Sequence, residues 1–257
     1  MNINSILSKL SADDLYQNAE SKCLQNSKGL EYLKNKQELW SNISKLIGVG
    51  GAGAAFFNPP LAIGGAAASL KALGITVSFE RLALIVEMLL RDYPGEITIT
   101  PKVKTDAGEI ELLVRTSDGM FFAFESRSKG TSRIKWREDR QNFFINSRTK
   151  KGKPRSQKWG ELISVGTRLN QAVLTLKKQK NEIIGKNKAE QKRPVIKAII
   201  LTGKTEIDPN NDPAMFVDFG KLKKKEGKVL RVATENVIFL VNQQNLVDFL
   251  MPRDKNL

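Results

Sequence analysis

Apolar and polar residues alternate with period two through residues 96–130, and this stretch predicts three consecutive strands. Ser117-Asp118-Gly119 places Asp at a turn position and Gly where a positive φ is needed, so a three-residue loop joins the second strand to the third. The loop sets a register. Thr116 pairs with Met120, Glu111 lies opposite Glu125 and Glu109 lies opposite Arg127, all with side chains on one face. Ile110, Leu112, Val114, Phe122, Phe124 and Ser126 fall on the other face, which is apolar enough to be buried.

Helical spacings flank this meander. Residues 1–45 carry Leu30, Leu33, Trp40 and Ile43 at helix-compatible intervals, with Ser11-Ala12-Asp13-Asp14 resembling a capping box, and read as an N-terminal helical appendage. Ser78 is the expected cap of a helix running to Asp92, with Phe79, Leu82, Val86 and Leu89 or Leu90 on its buried stripe and Tyr93-Pro94-Gly95 ending it. Leu162, Val165, Leu169, Val173 and Leu176 predict a long amphipathic helix over 159–180. A polar linker over 181–193 leads to VIKAIIL at 195–201, a continuous apolar strand suited to the middle of a sheet covered on both faces. A loop at 208–213, a basic tract at 221–228, a strand at 237–241 and a helix over 242–250 capped by Asn242 follow. The pattern predicts an α/β domain over 77–257, a central mixed sheet flanked by helices, preceded by the appendage 1–45 and by a segment 46–76.

That segment contains 25 residues, 46–70, without a charge, between Lys45 and Lys71. The length suits a membrane span. Its Gly and Ala content and the central Asn58-Pro59-Pro60 suit instead a buried helical hairpin, a kinked span or a shallow re-entrant hairpin.

Composition narrows the chemistry. The 257 residues carry a formal net charge of +15, which calls for a polyanionic partner, either nucleic acid or an anionic membrane surface. With one cysteine and no histidine, disulfide frameworks, the usual zinc sites, Ser-His-Asp triads and histidine general bases are excluded. Chemistry must run on carboxylates, Lys, Arg and bound metal. No basic n-region followed by an apolar h-region opens the chain, so a cytoplasmic protein is expected, membrane-associated if 46–70 inserts.

Residues 127–158 hold twelve Lys or Arg against Glu138 and Asp139, interleaved with Trp136, Phe143 and Phe144. Lys129, Arg133, Lys135, Arg137, Arg148, Lys150, Lys151 and Lys153 are the candidate phosphate contacts, on an insertion of weak periodicity. Glu111 and Glu125, placed opposite each other, repel, and the pair needs a cation beside it, for which a metal ion is a candidate. Glu87, enclosed by LALIV and MLL, is a third carboxylate that would be costly to bury alone.

An acidic residue on one strand, followed about a dozen residues later by Glu-x-Lys on the next, is the core pattern of the PD-(D/E)xK nucleases. GEIELLV and GMFFAFESRSKG resemble that pattern in the form of the nuclease-related (NERD) branch, and the order of elements matches over 78–250. The resemblance implies a restriction endonuclease-like core and a magnesium- or manganese-dependent endonuclease that hydrolyses phosphodiester bonds, in DNA rather than RNA. On it, Glu111 and Glu125 are metal ligands helped by Glu87 from the preceding helix, and Gln171 on the following helix points at the site, with Gln179 as the competing choice. Glu111 stands where Asp is usual, and either supplies oxygen ligands. Arg127 stands where Lys is usual; an arginine can orient or stabilise but cannot take a proton. Two other readings share these residues: a catalytically degenerate nuclease-fold module that binds nucleic acid, and a membrane-tethered basic adaptor whose Lys-rich tracts lie on anionic lipid.

Overall fold

The Ser117-Asp118-Gly119 loop folds as its residues dictate. In the computed structural model Gly119 takes φ 76°, the Thr116 N–H donates to the Met120 carbonyl, and the Asp118 carboxylate accepts from Thr116 Oγ1 and the Met120 N–H. The structure describes residues 24–55, 59–140, 142–148, 154–178, 194–208, 216–218 and 237–251. In chain order they form α1 (Asn26–Ala55), α2 (Pro59–Asp92), β1 (Ile97–Thr105), β2 (Gly108–Thr116), β3 (Phe121–Arg127), β4 (Ser132–Arg137), β5 (Asn142–Arg148), β6 (Pro154–Lys158), α3 (Glu161–Lys178), β7 (Val195–Leu201), β8 (Thr205–Ile207), β9 (Phe216–Asp218), β10 (Ile238–Asn242) and α4 (Leu246–Leu250).

The main sheet has the order β1-β2-β3-β7-β10-β9. The first three strands are an antiparallel meander, and β7, β10 and β9 follow in parallel with β3. Parallel neighbours need a crossover, and α3 supplies it between β3 and β7. VIKAIIL on β7 is buried at every position, as a strand covered on both faces must be. One face packs on α2 and α4 through Leu82, Ile85, Leu89, Phe122, Phe124, Ile200 and Phe249. Phe124 is fully buried with its ring 6.2 Å from that of Phe249, and truncating it to Ala would cost about 3–5 kcal/mol. The other face packs on α3 through Leu113, Ala123, Leu169 and Val173.

A second sheet, β6-β5-β4-β8, sits against the same face as the start of α3, burying Ile134, Phe143 and Ile145 with Trp159, Leu162 and Leu201. The basic stretch expected as an irregular insertion is therefore mostly strand over its described residues. Buried Ser132 and Ile134 alternate with exposed Arg133 and Lys135, a period-two pattern that charge density hides in the sequence.

Two helices differ from expectation. α1 and α2 run unbroken across residues 45/46 and 76/77, and Ser78 lies inside α2 rather than capping it, because Ala-rich 62–72 offers no breaker before Pro94. α1 is also fastened to the sheet. The Asn26 side chain donates to the Ile97 carbonyl at 3.0 Å and accepts from the Ile99 N–H at 2.7 Å, occupying the open edge of β1 as another strand would. Asn242 makes no side-chain cap; a 3₁₀ turn, Gln243–Asn245, leads into α4 instead. The capping box at 11–14, Gln179, the linker 181–193 and the basic tract 221–228 lie outside the described residues.

Candidate functional site

The site begins with a break in β1. Lys102 takes φ 57°, a left-handed conformation costing about 1–2 kcal/mol for a residue with a Cβ, and the β1–β2 ladder skips the position opposite, which is Glu111. Side-chain alternation shifts there. Ile110 joins Leu113 in the α3-side core, whereas Leu112 and Val114 pack on the α2 side, so Ile110 does not share their face as the simple alternation expects. Glu111 is thereby free to turn its carboxylate toward β3. Its Oε2 accepts from the Ser126 N–H and from Ser126 Oγ, each at 2.8 Å, taking the backbone proton that a continued ladder would give to Ile110.

Carrying the β2–β3 register one residue past Leu112 and Phe124 sets Glu111 beside Glu125. Both are buried, Glu111 at 9% exposure and Glu125 at 1%. The cation between them is Arg127. Its Nη1 donates to Glu111 Oε1 at 3.0 Å, its Nη2 lies 3.0 Å from Glu125 Oε2, and its Nε lies 3.4 Å from Glu161 Oε1. Arg168 on α3 reaches the same Glu125 Oε2 at 3.0 Å, and Arg81 on α2 reaches the Ser126 carbonyl at 3.4 Å. Three carboxylates and three guanidinium groups thus share the centre.

Burial and the neighbouring Glu111 charge push the Glu125 carboxyl up to about 7, against the pull of Arg127 and Arg168. Glu111 moves the other way. Burial opposes its charge, but Arg127, Lys102 and the two Ser126 hydrogen bonds hold it below the ordinary carboxylate range. Arg81 is lowered, chiefly by burial.

As arranged, these residues do not suit a divalent ion. A magnesium or calcium ion needs about six oxygen ligands. Of the four oxygens of Glu111 and Glu125, three are taken by Ser126 or by guanidinium nitrogens, and Glu125 Oε1 alone is buried without a partner. Among the described residues no group of three or more His, Cys, Asp or Glu side chains is placed to hold a metal. The position between the carboxylates belongs to Arg127.

Two expected members stand elsewhere. Glu87 is exposed and pairs with Lys34 of α1; it shares the outer side of α2 with exposed Leu84, while Leu82, Ile85, Val86 and Leu89 take the inner side. Gln171 lies on the solvent side of α3, whose buried stripe is Leu162, Val165, Leu169, Ala172, Val173 and Leu176. Arg168, flanking that stripe, is the residue of α3 that reaches the site. Relieving charge repulsion is also not the whole effect of removing Glu111, since Ser126 would lose its acceptor.

The basic residues form a separate surface. The outer face of the second sheet carries Arg133, Lys135 and Arg137 on β4, Phe144 and Asn146 on β5, and Ser156 and Lys158 on β6, with Lys135, Phe144 and Lys158 in one cross-strand row. Arg137 and Arg140 lie over the Phe144 ring at 5.2 and 5.5 Å, and Arg137 also forms a two-pronged ion pair with Asp139. Lys129 is exposed, its ammonium 5.8 Å from the centre of the Trp159 ring. Trp159 Nε1 donates to Glu161 Oε2 at 3.0 Å, so Lys129, Trp159, Glu161 and Arg127 connect the basic face to the carboxylate pair. Arg148 ends β5, and Lys150, Lys151 and Lys153 lie outside the described residues.

Sequence reading missed Arg81, Arg168, Glu161, Arg140 and Lys158. Arg168 had a signal, a charged residue beside the apolar stripe of the helix after Glu-x-Arg; Arg81 had none, since its reach depends on how α2 crosses β3. No family model, curated protein or solved structure matches the chain.

Proposed function

We propose that the chain is a nucleic-acid-binding module on a nuclease-like α/β fold, in which Arg127 stands in place of a catalytic metal. The observation that carries this reading is the guanidinium bridge from Glu111 to Glu125. An arginine remains charged at every physiological pH and bridges the two acidic side chains without an ion. The likeness to the restriction endonuclease core is supported by a helix leading into an antiparallel meander, then a helical crossover to a parallel strand, with the acidic residue and Glu-x-Arg on adjacent strands. The partner is read from the basic sheet face and the net charge of +15, which favour phosphates, with duplex DNA as the proposed ligand.

Fluorescence anisotropy with a labelled duplex tests it. Arg133→Glu with Lys135→Glu should weaken binding at least about tenfold and lower the log-log salt slope by about 2, since each phosphate contact contributes roughly 0.9. Unchanged affinity would sink the assignment of that face. A supercoiled plasmid should stay intact with magnesium or manganese. The metal-dependent nuclease is the second reading, favoured by the unpartnered Glu125 Oε1, and plasmid cleavage that disappears in Glu125→Gln would establish it instead.

A further inference from the structure

We propose that the α1–α2 hairpin docks into a single leaflet of an anionic bilayer, with its distal arms in the hydrocarbon and Lys45 and Lys71 at the headgroups. The hairpin leaves the α/β body early. Leu30, Tyr32 and Leu33 of α1, and the stretch of α2 from Phe79 onward, pack in the main core. Beyond them the two helices hold mainly to each other, as where Ser44 Oγ donates to the Ser69 carbonyl at 3.2 Å and Ser69 Oγ donates to the Ser44 carbonyl at 3.0 Å. This reciprocal pair puts Lys45 and Lys71, both exposed, at one level.

Past that level the sequence 46–70 carries no charge. The helical arms beyond it are residues 46–55 and 59–70, which at 1.5 Å per residue reach about 15 and 18 Å. One leaflet supplies about 15 Å of hydrocarbon, half of a core about 30 Å thick. No helix among the described residues is long and apolar enough to cross a membrane, so the match is to a hairpin entering and leaving on one side.

A bilayer fits this surface better than a protein partner. Thirteen of the 25 residues are Gly or Ala and none is charged, and a bilayer requires that charge be absent and that backbone groups be bonded. Small residues also let paired helices approach closely in lipid. At the entry level Leu46, Leu70 and Leu73 are exposed, Leu70 at 69%, beside lysines whose stems can reach toward headgroups. The net charge of +15 complements an anionic lipid surface.

The experiment is flotation of the full chain with vesicles of phosphatidylcholine alone and with about three parts in ten phosphatidylserine. The chain should float with the anionic vesicles and remain bound after a high-salt wash, because apolar insertion outlasts screening. Leu46→Glu with Leu70→Glu, both at exposed positions, should reduce flotation at least about tenfold. The same variant should keep its DNA affinity and far-UV spectrum. Lys45→Glu with Lys71→Glu should lose about thirtyfold in affinity for anionic vesicles, at roughly fivefold per lysine. Three results would overturn the proposal: no flotation, flotation unaffected by the leucine replacements and released by salt, or a dimer in light scattering that those replacements dissolve, which would make a second copy the occupant.

Discussion

Arg127 follows Glu125 by two residues on β3, and the two side chains meet on one face, Nη2 to Oε2, at 3.0 Å. Same-strand neighbours at this spacing point the same way, so the strand supplies both charge and countercharge, and β2 needs to add only Glu111. The planar fork of the guanidinium lets one residue hold both carboxylates, which a single ammonium could not do in the same way.

Removing that fork should therefore cost more than an ordinary ion pair. Arg127→Met leaves two buried carboxylates without their bridge, and about 3–5 kcal/mol of destabilisation is expected. Adding Glu111→Gln and Glu125→Gln to the same variant should restore most of it, because no buried charge is then uncompensated. Urea denaturation at neutral pH reads both; a triple variant no more stable than the single one would contradict the account.

The pH dependence has two limbs. Glu125 titrates near 7 in the folded chain against an ordinary 4.5, so between these values the folded state holds a proton that the unfolded state has lost. Stability from this group is complete below 4.5 and falls as pH rises to 7, by up to about 3 kcal/mol. Glu111, lowered, behaves oppositely: its contribution is present above 4.5 and is lost as pH falls through its folded value. Midpoints measured across pH should decline from about 4.5 toward 7 in the parent and flatten over that interval in Glu125→Gln.

What the sequence made legible was local. Asp118 and Gly119 define the turn, and the turn alone carries the register that sets Glu111 beside Glu125. VIKAIIL and the stripe on α3 read correctly because their periods are undisturbed. The details of the site depend on longer-range causes. The left-handed Lys102 on β1 redirects Glu111 on β2, and nothing near Glu111 in sequence announces it. Glu87 looked enclosed because LALIV and MLL surround it, but a helix turns every third or fourth residue outward, and Leu84 and Glu87 are those residues. The strand β4 was hidden because the exposed positions that alternate with its buried Ser132 and Ile134 are Arg133 and Lys135, which read as a charged loop.

Glu111 and Glu87 should separate cleanly on truncation. Glu111→Ala strips the acceptor from the Ser126 N–H and Oγ and from Arg127, with an expected loss of about 2–4 kcal/mol. Glu87→Ala removes one exposed ion pair with Lys34 and should change stability by less than about 1 kcal/mol. Equal effects in urea denaturation would mean that Glu111 is not the keystone of the β2–β3 contact.

The remaining prediction concerns what Arg127 keeps out. In the parent the guanidinium engages Glu111 Oε1 and Glu125 Oε2 together, and Glu125 Oε1 is the one carboxylate oxygen of that pair left buried without a partner. Arg127→Lys replaces a fork with a point charge on a shorter reach, able to serve one carboxylate at a time. Glu111 Oε1 then becomes available beside Glu125 Oε1, while Arg168 keeps Glu125 Oε2, and carboxylate oxygens suit manganese and magnesium. The variant should bind manganese at least about tenfold more tightly than the parent by calorimetry or electron paramagnetic resonance, with duplex affinity unchanged because one positive charge is kept. Adding Glu111→Gln should abolish the gain, since one of the two donors is then neutral. If parent and Arg127→Lys bind manganese equally, the arginine is not what denies the ion its place, and the site must be read as one that takes metal with Arg127 present.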